Sequence, residues 1–248
     1  MARTAKKKPA KKKAAAKKAQ KQTGKRPVRW ALKWLLRGGL AVVVSGFVLV
    51  ALYSVINPPT TPYILSESRR LGGVEREWVA IEDISPYMAR SVVAAEDANF
   101  CLHWGFDMSA IRDAFAAGAR RGGSTISQQT VKNAYLWQGR SWTRKAMEAV
   151  LTPMVEAVWS KRRIVEVYLN VAEFGEGVFG VDAAARHYFK VGAADLTATQ
   201  AARLAAILPN PKGRSASRPS PSTRNRAASI RDGAATIRAD GRSACFEG

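Results

Sequence analysis

The sequence predicts an all-α fold behind a single N-terminal transmembrane helix, on three observations. Residues 40–56 are apolar and carry no charge, which is typical of a membrane-spanning helix. After residue 84, apolar side chains recur at helical spacing behind Ser, Thr or Asp residues that are typical helix caps. The chain has 248 residues but only two cysteines, so it can form one domain with a packed core and is not a disulfide scaffold.

Positive charge is concentrated at the N-terminus. Fifteen of the 40 Lys and Arg residues lie within residues 1–39, which contain no Asp or Glu, so the rest of the chain has 25 basic and 19 acidic residues. Residues 1–29 cannot form a core and are expected to be a disordered tail. Such a tail is suited to binding nucleic acid, but next to an apolar segment it is better explained as a cytoplasmic tail that touches anionic lipid. No nucleic-acid partner is therefore expected.

The apolar segment defines a membrane anchor at residues 30–57. Its uncharged part is at the short end of the ~17–25 residues that span a bilayer, and snorkelling of Lys33 and Arg37 would lengthen it. A cleaved signal peptide is the alternative, but a long basic tail precedes the segment and no small-x-small pattern stands before Pro58. The excess of positive charge then puts the N-terminus in the cytoplasm and everything after Asn57 on the other side.

Residues 58–84 are expected to be a linker or stem, stiffened at its start by three prolines, with a short strand or hairpin around residues 77–81. The first helix of the domain should begin at Pro86, with Ser85 as its N-cap, and end near Glu96 and Asp97. A carboxylate at a helix C-terminus meets the negative end of the helix dipole. Two acids at this position violate a local rule, which is typical of a functional site.

A second helix is predicted after Asp107, and a third after Ser124, which follows a basic glycine-rich loop. The first backbone amides of the third helix are expected to be free, so that they and the positive dipole end would bind an anion. One face of this helix is expected to carry a hydroxyl, an amide and an ammonium, from Thr125, Gln128 or Gln129, and Lys132.

A fourth helix is predicted after Ser141, and Pro153 should kink or end it. Arg144 and Lys145 precede Glu148 at ion-pair spacing, which by itself indicates a solvated surface pair. Further helices are predicted at residues 163–170, 182–189, 201–208 and 223–239. The domain core is placed at residues 85–212, with residues 213–248 as an Arg-rich C-terminal extension. Two cysteines, Cys101 and Cys245, leave open whether they pair.

Five stretches of this domain resemble the motifs of the glycosyltransferase family 51 peptidoglycan glycosyltransferases, in the family's order and spacing. They are EDANFCLHWGFD (96–107), GGSTISQQTVKN (122–133), RKAMEA (144–149), KRRIVEVYLN (161–170) and GVFGVDAAARHYFK (177–190). The chain contains no S-x-x-K, so the serine transpeptidase chemistry of the bifunctional members is not expected. The resemblance is thus to the monofunctional peptidoglycan transglycosylases of this family.

The resemblance implies a lysozyme-like, all-α glycosyltransferase domain that polymerises lipid II into linear β-1,4 glycan strands of peptidoglycan, with inversion at the sugar. The expected partners are lipid II, the lipid-linked growing strand, the membrane, and other cell-wall synthesis or division proteins. The expected location is the bacterial inner membrane, with the catalytic domain in the periplasm. No cofactor is firmly implied, although Mg²⁺ or Mn²⁺ is a candidate at the diphosphate. Two histidines without HExxH or CxxC indicate no dedicated metal site.

By the same resemblance, Glu96 matches the general base that takes the proton of the attacking hydroxyl. Glu148 matches a second essential acid, which orients Arg144, Lys145 or a divalent cation against the diphosphate. Lys132 is expected to stabilise the departing diphosphate together with Arg144 and Lys145. The other expected substrate-binding residues are Asp97, Phe100, His103, Gly105, Ser124, Thr125, Gln128, Gln129 and Asn133.

Two other functions compete with this one. A lysozyme-like or lytic glycan-cleaving enzyme would also need an acid in a helical fold, but it would not need the three cations. A membrane-tethered basic scaffold would depend on the tail and not on Glu96. The apolar segment at Phe115, Ala116 and Ala117 is explained equally well by insertion into the bilayer and by ordinary core packing.

Overall fold

The computed structural model describes residues 1–2, 25–116 and 123–247, with the backbone alone for residues 25–28, 114 and 115. The expectations for the basic tail and for membrane insertion at Phe115 and Ala117 concern residues or side chains outside this description. The first unit of the chain is Met1–Leu49 and the second is Val50–Gly248. Each is considered by itself below.

Helices dominate the described residues, of which 67% are helical and 3% lie in strands, which confirms the all-α prediction. The helices are α1 (Lys25–Tyr53), α2 (Pro62–Leu71), α3 (Pro86–Glu96), α4 (Met108–Ala116), α5 (Ile126–Tyr135), α6 (Trp142–Val158), α7 (Lys161–Val171), α8 (Val181–Phe189), α9 (Ala198–Ile207), α10 (Pro221–Ala239) and α11 (Ala244–Glu247). Short 3₁₀ turns lie at Ile81–Asp83, Phe100–Leu102 and Ala193–Asp195.

The N-terminal helix has the length and composition of a membrane span. Within α1, the 25 residues Arg29–Tyr53 contain a window with a mean hydropathy of 2.2, and their side chains are almost entirely exposed. A helix that leaves so much apolar surface uncovered is suited to a lipid environment. It is the one such helix in the part of the chain that the structure describes.

The predicted stem is part of the larger unit and contains a helix. Thr61 caps α2 by accepting a hydrogen bond from Ile64 N at 3.2 Å, and Pro62 occupies the first helical turn. The prediction of a short strand or hairpin around residues 77–81 is wrong, because neither forms there. Instead, β1 (Glu75–Arg76) pairs in parallel with β3 (Val178–Phe179), which pairs antiparallel with β2 (Glu173–Gly175), in the order β1-β3-β2. The partner strand of β1 lies about 100 residues further along the chain, so no local sequence pattern indicates this pairing.

Two groups of helices enclose the core. Helices α3, α9 and α10 pack on one another, and α5 packs between α6 and α7. Fully buried side chains join the two groups, among them Val92, Phe100, Ile126, Tyr168 and Leu204. This packing brings the C-terminal end of α3 and the whole of α5 to the same region of the domain.

The Arg-rich C-terminal segment is packed into the domain, although it was expected to lie outside the domain core. Along α10 a buried stripe recurs at helical spacing, at Thr223, Ala227, Ile230, Ala234 and Ile237. The stripe consists mostly of small residues between arginines, and it is therefore a weak hydrophobic signal in the sequence. A disulfide between Cys101 and Cys245, which are 144 residues apart, further ties α11 to the turn at Phe100–Leu102.

Most predicted helix starts are confirmed, and one is wrong. Pro86 begins α3, Asp107 Oδ1 accepts hydrogen bonds at the start of α4, Ser141 caps α6, and Thr197 forms a capping box with Gln200. Ser85 is the N-cap residue of α3 as predicted, although its hydroxyl donates to Leu196 O at 2.7 Å and makes no capping hydrogen bond. The correction concerns α5, whose N-cap is Thr125 and not Ser124.

Pro153 lies inside α6 and does not end it. The residues around it are held by burial, since Thr152 and Val155 are completely inaccessible. Thr152 also donates its hydroxyl to Glu148 O at 2.7 Å. Packing therefore outweighs the local cost of proline in a helix interior, and Glu148 and Glu156 are carried by one continuous helix.

Candidate active site

Glu96 is the last residue of α3, and its side chain is 15% exposed. Gln129 of α5 donates from Nε2 to Glu96 Oε2 at 3.0 Å, and Tyr168 of α7 donates in turn to Gln129 Oε1 at 3.2 Å. Burial raises the pKa of Glu96 above the usual range of a glutamate, and the Gln129 hydrogen bond and the charges of Arg226 and Lys132 oppose that shift. A carboxyl with a raised pKa at the wall of a cavity is suited to accept a proton.

Asp97 joins the loop after Glu96 to the start of α5. Its Oδ2 accepts the Ile126 backbone N–H at 2.9 Å, and its Oδ1 lies 2.8 Å from His103 Nε2. The expectation of free amides at the start of α5 is therefore wrong, because an internal carboxylate already occupies this positive helix end. Asp97 positions the loop beside Glu96 instead of leaving an anion site for a ligand.

The capping box of α5 uses two residues that were expected to bind substrate. Thr125 accepts the Gln128 N–H at 3.3 Å, and the Gln128 side chain accepts the Thr125 N–H at 3.0 Å. Thr125 also donates its hydroxyl to Gly105 O at 2.6 Å. Both side chains are buried and their polar groups are used inside the domain. Gln129, one position further, is the amide that reaches the Glu96 carboxylate.

Glu148 lies on α6 with its carboxylate 3% exposed and paired with two cations of the same helix. Arg144 Nη1 lies 3.1 Å from Oε2, and the Lys145 ammonium contacts Oε1. Lys145 also lies within 3.4 Å of Ser124 Oγ. A solvated surface pair, which the spacing by itself indicated, is therefore wrong. The carboxylate is buried and fully compensated, and it holds both cations in place.

Lys132 is the third cation of this region and differs from the other two. Among the described residues, its ammonium has no hydrogen-bond or ion-pair partner. Burial lowers its pKa, while the negative charges of Glu148 and Glu96 act in the opposite direction. A partly buried ammonium without a partner, close to two carboxylates, is available to an anionic ligand.

Residues of this region line two polar cavities. One, of ≈280 Å³, is lined by Glu96, Asp97, Asn99 and Ser124, among other residues. The other, of ≈330 Å³, is lined by residues that include Gln129, Lys132, Asn133 and Tyr168. Gln129 connects them, because it lines the second cavity and donates to Glu96 in the first. A carboxyl group with a raised pKa and a cation without a partner among the described residues thus face adjacent spaces. This arrangement suits a reaction that takes a proton on one side and binds an anion on the other.

A larger cavity, of ≈440 Å³, lies between α3, α9 and α10. It is lined by arginines 90, 231 and 238 with Tyr87 and several alanines, and by no carboxylate. Because it has no group that could act as a base, it is not the candidate active site.

Three residues that were expected to bind substrate have packing roles in the structure. Phe100 is completely buried, with Lys161 Nζ 4.3 Å from its ring centroid, and cannot contact a ligand directly. Gly105 has a φ of +83°, and a Cβ atom there would lie 2.8 Å from Thr152 Cγ2, so glycine is required for close approach to α6. His103 is held by Asp97. Phe100 and Gly105 were expected to contact substrate directly, but in the structure they support the loop.

One residue near Glu96 was not predicted. Arg226 of α10 places Nη2 3.5 Å from Glu96 Oε1. Its local pattern, one Arg among several on a basic helix, contains no signal for this contact. Only the packing of α10 on α3 brings the two residues together.

No ready-made set of metal ligands is found in the described residues. Residues 25–116 and 123–247 contain no group of three or more His, Cys, Asp or Glu side chains that could hold a metal ion. Both Glu148 oxygens contact Arg144 and Lys145. A Mg²⁺ or Mn²⁺ ion held mainly by the diphosphate would need only one or two carboxylates of the protein, so the suggested ion stays a prediction.

Comparison with known proteins shows which family the chain belongs to. The family model described as Transglycosylase matches residues 65–235. The chain is 64% identical over 214 residues to a biosynthetic peptidoglycan transglycosylase of Jannaschia sp. (strain CCS1), covering 86% of this chain and 90% of that protein. Proteins of the same name from Rhodospirillum centenum and Caulobacter vibrioides are 48% and 44% identical, over 84% and 89% of this chain and 94% and 98% of their own lengths. The chain therefore belongs to the transglycosylase family, glycosyltransferase family 51.

Proposed function

We propose that this protein is a monofunctional peptidoglycan glycosyltransferase that polymerises lipid II into β-1,4-linked glycan strands. The observation that carries the proposal is the position of two groups on either side of Gln129. One is the Glu96 carboxylate, whose burial is only partly offset by its partners, and the other is the Lys132 ammonium, which has no partner among the described residues. The names of the similar proteins support the same activity.

In the proposed reaction, the 4-hydroxyl of lipid II attacks C1 of the lipid-linked growing strand. A new C1–O bond forms as the bond from C1 to the diphosphate oxygen breaks, and the configuration inverts. The hydroxyl proton passes to Glu96, and the bonding electrons leave with the diphosphate. Glu96 is suited to this step because its buried carboxylate binds a proton more tightly than a solvated one.

The departing diphosphate needs positive charge that is already in position. Lys132 provides an ammonium without a competing partner, and Glu148 holds Arg144 and Lys145 in place. Cations that are positioned before the reaction need no reorganisation as charge develops on the leaving group. A glycan-cleaving enzyme has no use for this cluster, because its leaving group is a sugar hydroxyl.

The membrane is the proposed location of this reaction. Helix α1 fits a bilayer span, and the basic N-terminal segment is expected to stay in the cytoplasm. The catalytic domain then faces the periplasm, on the outer side of the inner membrane. Several large apolar side chains of the domain are exposed and are proposed to contact lipid: Leu102, Trp104, Met108, Trp142 and Val150.

The proposal is tested by incubating the detergent-solubilised full chain with labelled lipid II and measuring polymer length. The wild type is compared with Glu96→Gln and with the control Glu77→Gln, which alters an exposed glutamate. The wild type and the control are expected to form long strands, and Glu96→Gln none while it remains folded. Shortening of preformed glycan without polymerisation would instead identify a degradative enzyme. Undiminished polymerisation by Glu96→Gln would rule out Glu96 as the base.

A further inference from the structure

The contact between Arg226 and Glu96 extends the active site to the C-terminal segment. Arg226 Nη2 lies 3.5 Å from Glu96 Oε1, and the same nitrogen donates to Ala95 O at 3.5 Å. The guanidinium therefore contacts both the carboxylate and the backbone of the helix turn that carries it. The Arg226 side chain is 41% exposed, whereas Glu96 is 15% exposed.

We propose that Arg226 is a positioning residue for the general base, holding the Glu96 carboxylate ionised and directed toward the cavity that receives the attacking hydroxyl. This inference rests on the proposed function, because it assigns Arg226 a role in the proton transfer of the glycosyl transfer reaction. It also gives the segment after residue 212 a part in catalysis.

Other residues of the C-terminal segment also attach it to α3 and to the loop that follows Glu96. Helix α10 packs on α3, and Ala227, next to Arg226, is buried. Further along the chain, Arg242 donates to Ala98 O at 3.2 Å, and Cys245 forms a disulfide with Cys101. The segment that carries Arg226 is therefore held beside Glu96 by helix packing, a hydrogen bond and a covalent bond, as well as by the ion pair itself.

The charged and titratable groups around Glu96 show why Arg226 matters. Asp97 adds a negative charge at the end of α3, and Tyr168 of α7 faces the site as a neutral phenol. The positive charges are those of Lys132 on α5 and Arg226 on α10. Lys132 is assigned to the diphosphate in the proposed function. Arg226 is then the cation left to offset the burial of Glu96 throughout the reaction.

Removal of Arg226 should shift the pH–rate profile in one direction only. Without the guanidinium, the carboxylate is stabilised less, and the pKa of Glu96 rises further. Because the base works only when ionised, the acid limb of the pH–rate profile moves to higher pH. The rate at pH values below this limb falls, and the rate well above it changes much less.

The test compares Arg226→Gln with Arg226→Lys and with a control on the same helix, Arg224→Gln. Arg224 is exposed and bonds only to Pro219 O among the described residues. Polymerisation of lipid II is followed as kcat and kcat/KM from about pH 5 to 9. Arg226→Gln is expected to lose about three- to tenfold in kcat/KM on the acid limb, a range discounted for the exposure of the guanidinium. Arg226→Lys is expected to restore most of the loss, and Arg224→Gln to follow the wild type.

A second measurement does not require turnover. The infrared carboxyl signal of Glu96, taken as the difference between the wild type and Glu96→Gln, is titrated with and without the Arg226→Gln substitution. A higher midpoint without Arg226 supports the inference even if the protein forms no polymer, a result that would overturn only the proposed function. An unchanged midpoint, or an equal loss of kcat/KM at every pH, would overturn the assignment of Arg226.

Discussion

Glu96 and Glu148 are two glutamates of the candidate active site, and their environments are opposite. Glu148 is almost completely buried, and both of its oxygens contact cations three and four residues away on its own helix. Glu96 is less buried, but its contacts are a neutral amide from α5 and a 3.5 Å ion pair from α10. The burial of Glu96, which its partners offset only in part, raises its pKa.

In the proposed function, one residue type performs two tasks. A charge that must hold cations in place is surrounded by partners whose spacing is set within one helix. A charge that must accept a proton has partners from other elements, so its basicity depends on tertiary packing.

The largest expected effect comes from neutralising each glutamate. Both Glu96→Gln and Glu148→Gln are expected to reduce kcat by about 10²–10⁴-fold, the first through loss of the base and the second through loss of the positioned cations.

The effects of these two substitutions on stability should differ in sign. Glu96→Gln removes a poorly compensated buried charge and should raise Tm at neutral pH, whereas Glu148→Gln leaves Arg144 and Lys145 without their shared partner and should lower it. Thermal unfolding followed by circular dichroism decides this, and two shifts of the same sign would break the comparison.

Lysines beside the two glutamates should show the next largest difference. Lys132→Met is expected to lower kcat by about 10²–10³-fold, because this ammonium has no other described partner and is available to the diphosphate. Lys145→Met should have a smaller effect, because its ammonium is 44% exposed and Arg144 remains on Glu148. Parallel kinetics of the two variants test this. A larger loss for Lys145→Met would mean that the paired cations, and not Lys132, stabilise the leaving group.

Only the Glu96 side of the site is tied to the C-terminus by a disulfide. Cys245→Ser opens a loop of 144 residues and is expected to reduce the free energy of unfolding by about 2–5 kcal/mol. Urea unfolding with and without reductant measures this, and the wild type in reductant should behave like the variant. If oxidised wild type and Cys245→Ser unfold at the same denaturant concentration, the disulfide does not hold this region.

The smallest expected effect is the dependence of stability on pH. Because the pKa of Glu96 is raised on folding, the folded state binds this proton more tightly than the unfolded state. The contribution of Glu96 to stability is thus largest at low pH and declines as pH rises from about 4.3, the value for an unfolded glutamate, through the folded pKa. Subtracting the stability profile of Glu96→Gln from that of the wild type should show this decline. A difference that grows with pH would contradict the raised pKa.

Much of the site was predictable from local patterns. Two acids at a helix end identified Glu96, and three capping residues, Asp107, Ser141 and Thr197, located helix starts that the structure confirms. The predicted anion site at the start of α5 failed because Asp97, 29 residues earlier, occupies its amide. The helix at Pro62–Leu71 was missed because only Tyr63, Ile64 and Glu67 are buried on its inner face. A stripe of three residues is too short to stand out from a polar segment.

The amino-acid sequence by itself determined the helical domain, the apolar N-terminal helix, the ion-pair spacing around Glu148 and the family of the chain. These features depend on residues within one or two turns of each other, or on motifs in a fixed order. Tertiary structure alone decided that the burial of Glu96 is only partly offset by its partners and that Lys132 has no described partner. It also decided that Arg226 and the Cys101–Cys245 bond join the C-terminal segment to the region of Glu96. The reason is physical: burial and the distance between charges depend on segments that are far apart in sequence, and these two quantities set the pKa of a carboxylate.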